Sequence, residues 1–146
     1  VNDPTAQRMG GIAGHAGLFS TADDLAIFAR MLIAGGAFRG VEVLSRQSVA
    51  LMTQPESPPA ASRVRGLGWD LAPPFATSND EGLSADSYGH TGFTGTMIWV
   101  DPASHSYVIV LSNRTYPDGR GDAHPLRRAI LAHISASGSA QQPATP

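Results

Sequence analysis

Between Leu25 and Leu32 apolar side chains return every three or four residues, with Leu25, Phe28 and Leu32 on one face. That period is helical. The predicted helix opens at Ser20, a capping residue type, with Asp23 three positions on at capping-box spacing. Asp23 and Asp24 suit the positive end of a helix, and Gly35-Gly36 stops it. A second helix is predicted over 46–53, capped by Ser45, with Val49 and Met52 sharing a face and Leu51 beside them. Pro55, Pro58 and Pro59 forbid its continuation, so 54–65 reads as a loop. A last helix over 125–136 takes Pro125 into its first turn and aligns Leu126, Ile130 and Ile134, with Leu131 widening the stripe. Residues 1–19 are glycine-rich with short apolar steps, and helical periodicity begins only at Ser20.

Elsewhere the apolar runs are short and rich in β-branched and aromatic residues. Gly66 to Leu71 reads as a strand ended by Pro73-Pro74, and 76–88 as turn formers. A strand starts near Tyr88 or His90 and extends toward Gly95. Thr96–Val100 and Tyr107–Leu111 are two further strands, joined by Asp101-Pro102-Ala103-Ser104-His105 as an antiparallel hairpin. Neither alternates cleanly between apolar and polar, so both faces of the sheet need cover. The last helix can cover one face and the first two the other, unless the cover comes from another chain or a missing segment. The fold class that follows is α/β in the α+β sense: an antiparallel sheet with helices packed on its faces. One domain is expected over 1–136, with a flexible tail over 137–146.

Composition removes several chemistries. The net charge of −2 and the lack of a basic stripe argue against nucleic acid as partner. There is no cysteine, which excludes disulfides, thiolate catalysis and cysteine-bound metal. No apolar run approaches the ~20 residues that span a bilayer. Val1-Asn2-Asp3-Pro4 does not read as a signal peptide, and the absence of an initial methionine suits processing or a piece of something longer. All ten basic residues are arginine, so the chain has no lysine.

Candidate chemistry concentrates in Gly89-His90-Thr91-Gly92-Phe93-Thr94-Gly95-Thr96. Gly92 permits close approach of a ligand, and the N–H after it, on Phe93, is a possible oxyanion donor at a sheet edge. Thr91 and Thr94 offer hydroxyls, and a histidine at position 90 can donate, accept or carry charge near neutrality. The plain alternative is polar residues at a strand start with glycines marking bends. His15 lies between small residues, either as a structural hydrogen-bonding group or as part of the groove. His105, His124 and His133 show no metal-ligand spacing, so neither a metal nor another cofactor is expected. Asn113-Arg114-Thr115 and Arg120-Gly121-Asp122 match a glycosylation triplet and an adhesion tripeptide only formally.

His90-Thr91-Gly92 resembles the third motif, Lys-Thr-Gly, of the serine β-lactamase and penicillin-binding protein superfamily, whose class-C-like and esterase branches often carry histidine first. Gly14 to Leu25 is similar to that family's segment leading into a helix beside the active site, and Gly66-Leu67-Gly68-Trp69 to the strand ahead of the motif. Asp101-Pro102 and Val110 to Arg114 resemble its closing strands. The resemblance implies that Phe93 supplies an oxyanion-hole N–H and that His90, Thr91, Gly92, Thr94 and His15 border the substrate. It implies an acyl-enzyme hydrolase of esters, β-lactams or D-Ala-D-Ala-like amides, in a bacterial parent that is periplasmic or secreted. The family's Ser-x-x-Lys cannot occur here without lysine, and no Tyr-x-Asn or Tyr-x-Ser is present. The chain therefore looks like the C-terminal half, with a missing N-terminal half or a second copy as partner. A noncatalytic peptide- or cell-wall-binding module on the same half-fold is the alternative.

Overall fold

The computed structural model describes residues 1–58, 64–71 and 83–139. Four helices occur among them: α1 (Pro4–Arg8), α2 (Ala22–Ile33), α3 (Arg46–Met52) and α4 (His124–Ser139). Strands β1 (Ala37–Phe38) and β2 (Val41–Glu42) form a small hairpin. Strands β3 (Asp70–Leu71), β4 (Tyr88–Thr91), β5 (Met97–Asp101) and β6 (Ser106–Val110) form a four-stranded antiparallel sheet in that order. This is the expected α+β arrangement.

Local chemistry explains the helix ends. α2 is capped one residue later than its spacing suggests, by Thr21 and not by Ser20. Thr21 is extended, and its Oγ1 accepts from the Asp24 N–H at 3.2 Å and donates to the Asp24 carboxylate at 3.0 Å. Both Ser20/Asp23 and Thr21/Asp24 have capping-box spacing, and the second pair forms the cap. The helix ends where predicted. Gly36 N–H reaches Met31 O and Gly35 N–H reaches Leu32 O, both at 2.9 Å, with both glycines at positive φ. That double bond pattern needs left-handed residues after the last turn. Ser45 caps α3 through the Ser48 N–H at 3.0 Å, as expected. α1 escaped prediction because five residues carry no readable period. Its signal is Asp3-Pro4: Asp3 accepts from the Ala6 N–H at 2.7 Å, and Pro4 occupies the first turn.

The sheet departs from expectation at β3. Only Asp70–Leu71 pairs, because Gly66 N–H bonds back to Trp69 O at 3.0 Å and Gly68 sits at φ +81°, making a tight turn where a longer strand was expected. The 101–105 hairpin forms as predicted. α4 continues three residues past the expected end, and the expected turn formers 76–82, Pro73-Pro74 and most of the tail lie outside the described residues.

Both faces of the sheet are covered in the predicted sense. On one face Val100, Tyr88 and Trp69 pack with Ala29, Met31 and Leu32 of α2 and Val49 of α3. On the other, Met97 and Val110 pack with Leu131 of α4. Trp99 is fully buried on this second face, and its indole lies where a Cβ on Gly89 would stand. Gly89 is thus a packing requirement of Trp99, not space for a ligand.

Among the described residues Tyr88 has no partner for its hydroxyl, and burial pushes its phenol up to about 12 from 10.0. The fold holds the neutral phenol, so this contribution is complete below pH ~10 and disappears as pH rises through the folded value. Ultraviolet titration of the three tyrosines should show one that ionises only near 12 or upon unfolding. A single common step near 10.0 with the fold intact would contradict this burial.

Candidate active site

β4 ends at Thr91, and the chain then turns tightly before β5 begins at Met97. Strand alternation sends neighbouring side chains to opposite faces. His90 stands opposite Ile98 and Thr91 opposite Met97, so the two leave the strand on different sides. The His90 side chain is exposed, on the face that also carries α2.

An open cleft of about 750 Å³ borders this turn. All six residues singled out in the sequence, His15, His90, Thr91, Gly92, Phe93 and Thr94, line it. Apolar side chains from the 18–19 segment, α2 and the end of β6 complete the wall: Leu18, Phe19, Leu25 and Leu111. Leu18 and Phe19 are more than four-fifths exposed, 88% and 81%. His15 has a structural tie in addition to its place in the cleft. Its Nε2 lies 3.0 Å from Asp3 Oδ1, the carboxylate that caps α1. The Ala6 N–H, and then the His15 bond, hold the Asp3 carboxyl below its usual range.

The turn is held from behind by two arginines. Arg127, on the first turns of α4 and only 4% exposed, donates Nε–H to Gly95 O at 3.1 Å. Its Nη2 donates to Gly92 O at 2.9 Å and Thr96 O at 2.8 Å. Arg114 donates Nε–H to Phe93 O at 2.6 Å and Nη1–H to Gly121 O at 3.0 Å, with its guanidinium 4.5 Å from the Phe93 ring centre. The Arg114 N–H meets Thr94 O at 2.8 Å. Every carbonyl from Gly92 to Thr96 therefore accepts a hydrogen bond. The Phe93 N–H, in contrast, meets no acceptor among the described residues.

Gly92 has its own packing reason. A Cβ there would collide with the Thr96 hydroxyl, and Gly92 N–H bonds to Thr96 O at 2.8 Å. Gly95 needs φ +105° and abuts Ser112 and Ala123. Sequence reasoning missed Arg114 and Arg127. Arg114 sat inside a formal glycosylation triplet, whose Asn113 Oδ1 instead accepts from Thr115 Oγ1 at 2.6 Å. Arg127 stands between Leu126 and Arg128 in the last helix, and nothing in the local pattern marks it. Gly121 and Asp122 of the formal adhesion tripeptide serve Arg114 and the His124 N–H, the latter at 2.9 Å. No group of three metal-ligating side chains occurs among the described residues. No described helix is long and apolar enough to cross a membrane.

Comparison with known proteins adds to this geometry. A family model described as Beta-lactamase matches residues 1–133. A protein of Escherichia coli O157:H7 named "Putative D-alanyl-D-alanine carboxypeptidase" is 36% identical over 123 residues, covering 80% of this chain and 27% of its own length. A protein of the same name from Salmonella typhi is 37% identical over 119 residues, with the same coverage of 80% and 27%. The chain thus spans about a quarter of the length of these curated bacterial relatives. A crystal structure of a family VIII carboxylesterase superposes with a TM-score of 0.50 at 20% identity, over 73% of this chain and 29% of that one.

Proposed function

The chain belongs to the beta-lactamase family, and from that premise we propose that it is the C-terminal part of a serine hydrolase working through an acyl-enzyme. The observation that carries the proposal is the Phe93 N–H, which has no acceptor among the described residues beside a cleft rimmed by His90. In this reading Phe93 donates to the oxyanion that develops on a substrate carbonyl. His90, Thr91, Gly92, Thr94 and His15 border the rest of the substrate, with His90 holding its carbonyl or carboxylate.

The nucleophile comes from protein outside this chain, since Ser-x-x-Lys needs the lysine that is absent here. A serine oxygen attacks the carbonyl carbon, and its proton passes through the base to the departing alcohol or amine. Water then releases the acid and restores the hydroxyl. The exposed Leu18 and Phe19 offer that other part an apolar surface to pack on. The substrate class is ester, β-lactam or D-alanyl-D-alanine-like amide, and the setting is the periplasm or exterior of a bacterium.

The test is turnover of an activated ester and of a D-Ala-D-Ala peptide by the full-length protein and by this chain alone. The full-length protein is expected to hydrolyse at least one, and the isolated chain neither. His90→Ala in the full-length protein should lower kcat/KM by about tenfold, the worth of one hydrogen bond. Unaltered kcat and KM in that variant would remove His90 from the site. Binding of the peptide without turnover by the full-length protein would favour a noncatalytic cell-wall-binding module.

A further inference from the structure

Arg127 is a buried cation. Among the described residues it forms no ion pair, and its guanidinium donates to three backbone carbonyls of one turn through Nε and Nη2. Burying such a charge is costly unless hydrogen bonds offset the lost hydration. Burial pulls the guanidinium below its usual value, and the neighbouring charge of Arg114 adds to this while Asp122 opposes it. A solvated arginine on an exposed helix face would meet none of these costs.

The bonds it makes orient one peptide plane. The Gly92–Phe93 peptide is trans, since Tyr116-Pro117 is the cis bond found among the described residues. In a trans peptide the C=O and the N–H point in opposite directions. Gly92 O is drawn toward α4 by Arg127 and is also taken by Gly95 N–H at 3.1 Å. The Phe93 N–H on the same plane therefore faces away from α4, toward the side where His15 and His90 line the cleft. A flip of this peptide would put the carbonyl in the cleft and break the bonds to both Arg127 and Gly95.

We propose that Arg127 is a positioning residue: by clamping Gly92 O, Gly95 O and Thr96 O from behind, it keeps the Phe93 N–H turned toward the substrate carbonyl. This rests on the serine-hydrolase reading above. Arg127 itself touches no substrate. It acts through the backbone, and the transition state gains a preset donor that needs no reorganisation.

The experiment uses the full-length protein with Arg127→Met and Arg127→Lys. Lysine keeps the charge but replaces a rigid fork by a point donor. For Arg127→Met kcat should fall about 100-fold, the lower end of losing an oxyanion donor, with KM changed less than about threefold. Arg127→Lys should fall between the two and covers the case in which the methionine variant does not fold. Amide hydrogen exchange of Gly95, read by mass spectrometry or NMR, should accelerate in parallel, because its bond to Gly92 O belongs to the clamped turn. Unchanged Gly95 exchange in a folded variant overturns the clamp, whatever happens to kcat. Faster exchange with full turnover overturns instead the assignment of Phe93 as oxyanion donor, and leaves the clamp standing. A rise in KM with kcat preserved overturns the proposal in favour of direct substrate binding by Arg127.

Discussion

Replacing Trp99 by alanine is expected to lower the unfolding free energy by about 3–5 kcal/mol. Trp99 is fully buried in the central strand pair, with β4 on one side and β6 on the other. Its ring lies over Gly89, where no side chain stands to collapse into the space left behind. Backbone on both sides limits relaxation, so the cavity persists and its cost adds to the lost transfer energy. Urea denaturation measures the loss. The reciprocal change, Gly89→Ala, must push either the Trp99 ring or the Ile98 carbonyl, and should destabilise by about 1–3 kcal/mol as overpacking does. A Trp99→Ala loss under 1 kcal/mol would show that this face repacks freely, contrary to the geometry.

Asp101→Ala should cost about 3 kcal/mol, the worth of one to two hydrogen bonds to a buried charge. The Asp101 carboxylate is 2% exposed and closes the β5–β6 hairpin. It accepts from Ser84 Oγ at 2.6 Å, Ser84 N–H at 3.0 Å, Ala103 N–H at 3.1 Å and Ser104 N–H at 3.4 Å. Burial raises its carboxyl pKa. The bonds from Ser84 and Ser104 outweigh burial, and the net shift is downward from 3.8. A carboxyl depressed on folding stabilises above its unfolded pKa, and that contribution is lost as pH falls through the folded value. Wild type should therefore weaken below about pH 4, where Asp3, also depressed, contributes in the same direction. Asp101→Asn should lose stability at neutral pH and show a shallower acid decline. Parallel stability–pH curves for Asn and wild type would rule out the ionised carboxylate as the source.

Much of this was legible in the residues. The hairpin at 101–105 follows from apolar runs around a turn cluster, and the stop of α2 follows from Gly35-Gly36. His90, Phe93 and their neighbours stood out because a glycine-flanked polar strand end is chemically unusual, and they do share one cleft. The misplaced cap at Ser20 had a local cause: the adjacent pairs Ser20/Asp23 and Thr21/Asp24 have equal spacing, so spacing alone does not separate them. The shortened β3 followed from a turn bond between Gly66 and Trp69, and pattern alone does not reveal such bonds.

By itself the sequence determined the order and type of the main elements, the need for cover on both sheet faces, and the exclusion of cysteine and lysine chemistry. These depend on local period, backbone freedom and residue identity, all of which are properties of neighbours in the chain. Only the tertiary structure decided that Gly89 yields to Trp99 and that Asp101 secures Ser84. It alone showed Arg127 gripping a turn 35 positions away. Those contacts join residues distant along the chain, and a side chain's environment there depends on how the elements dock.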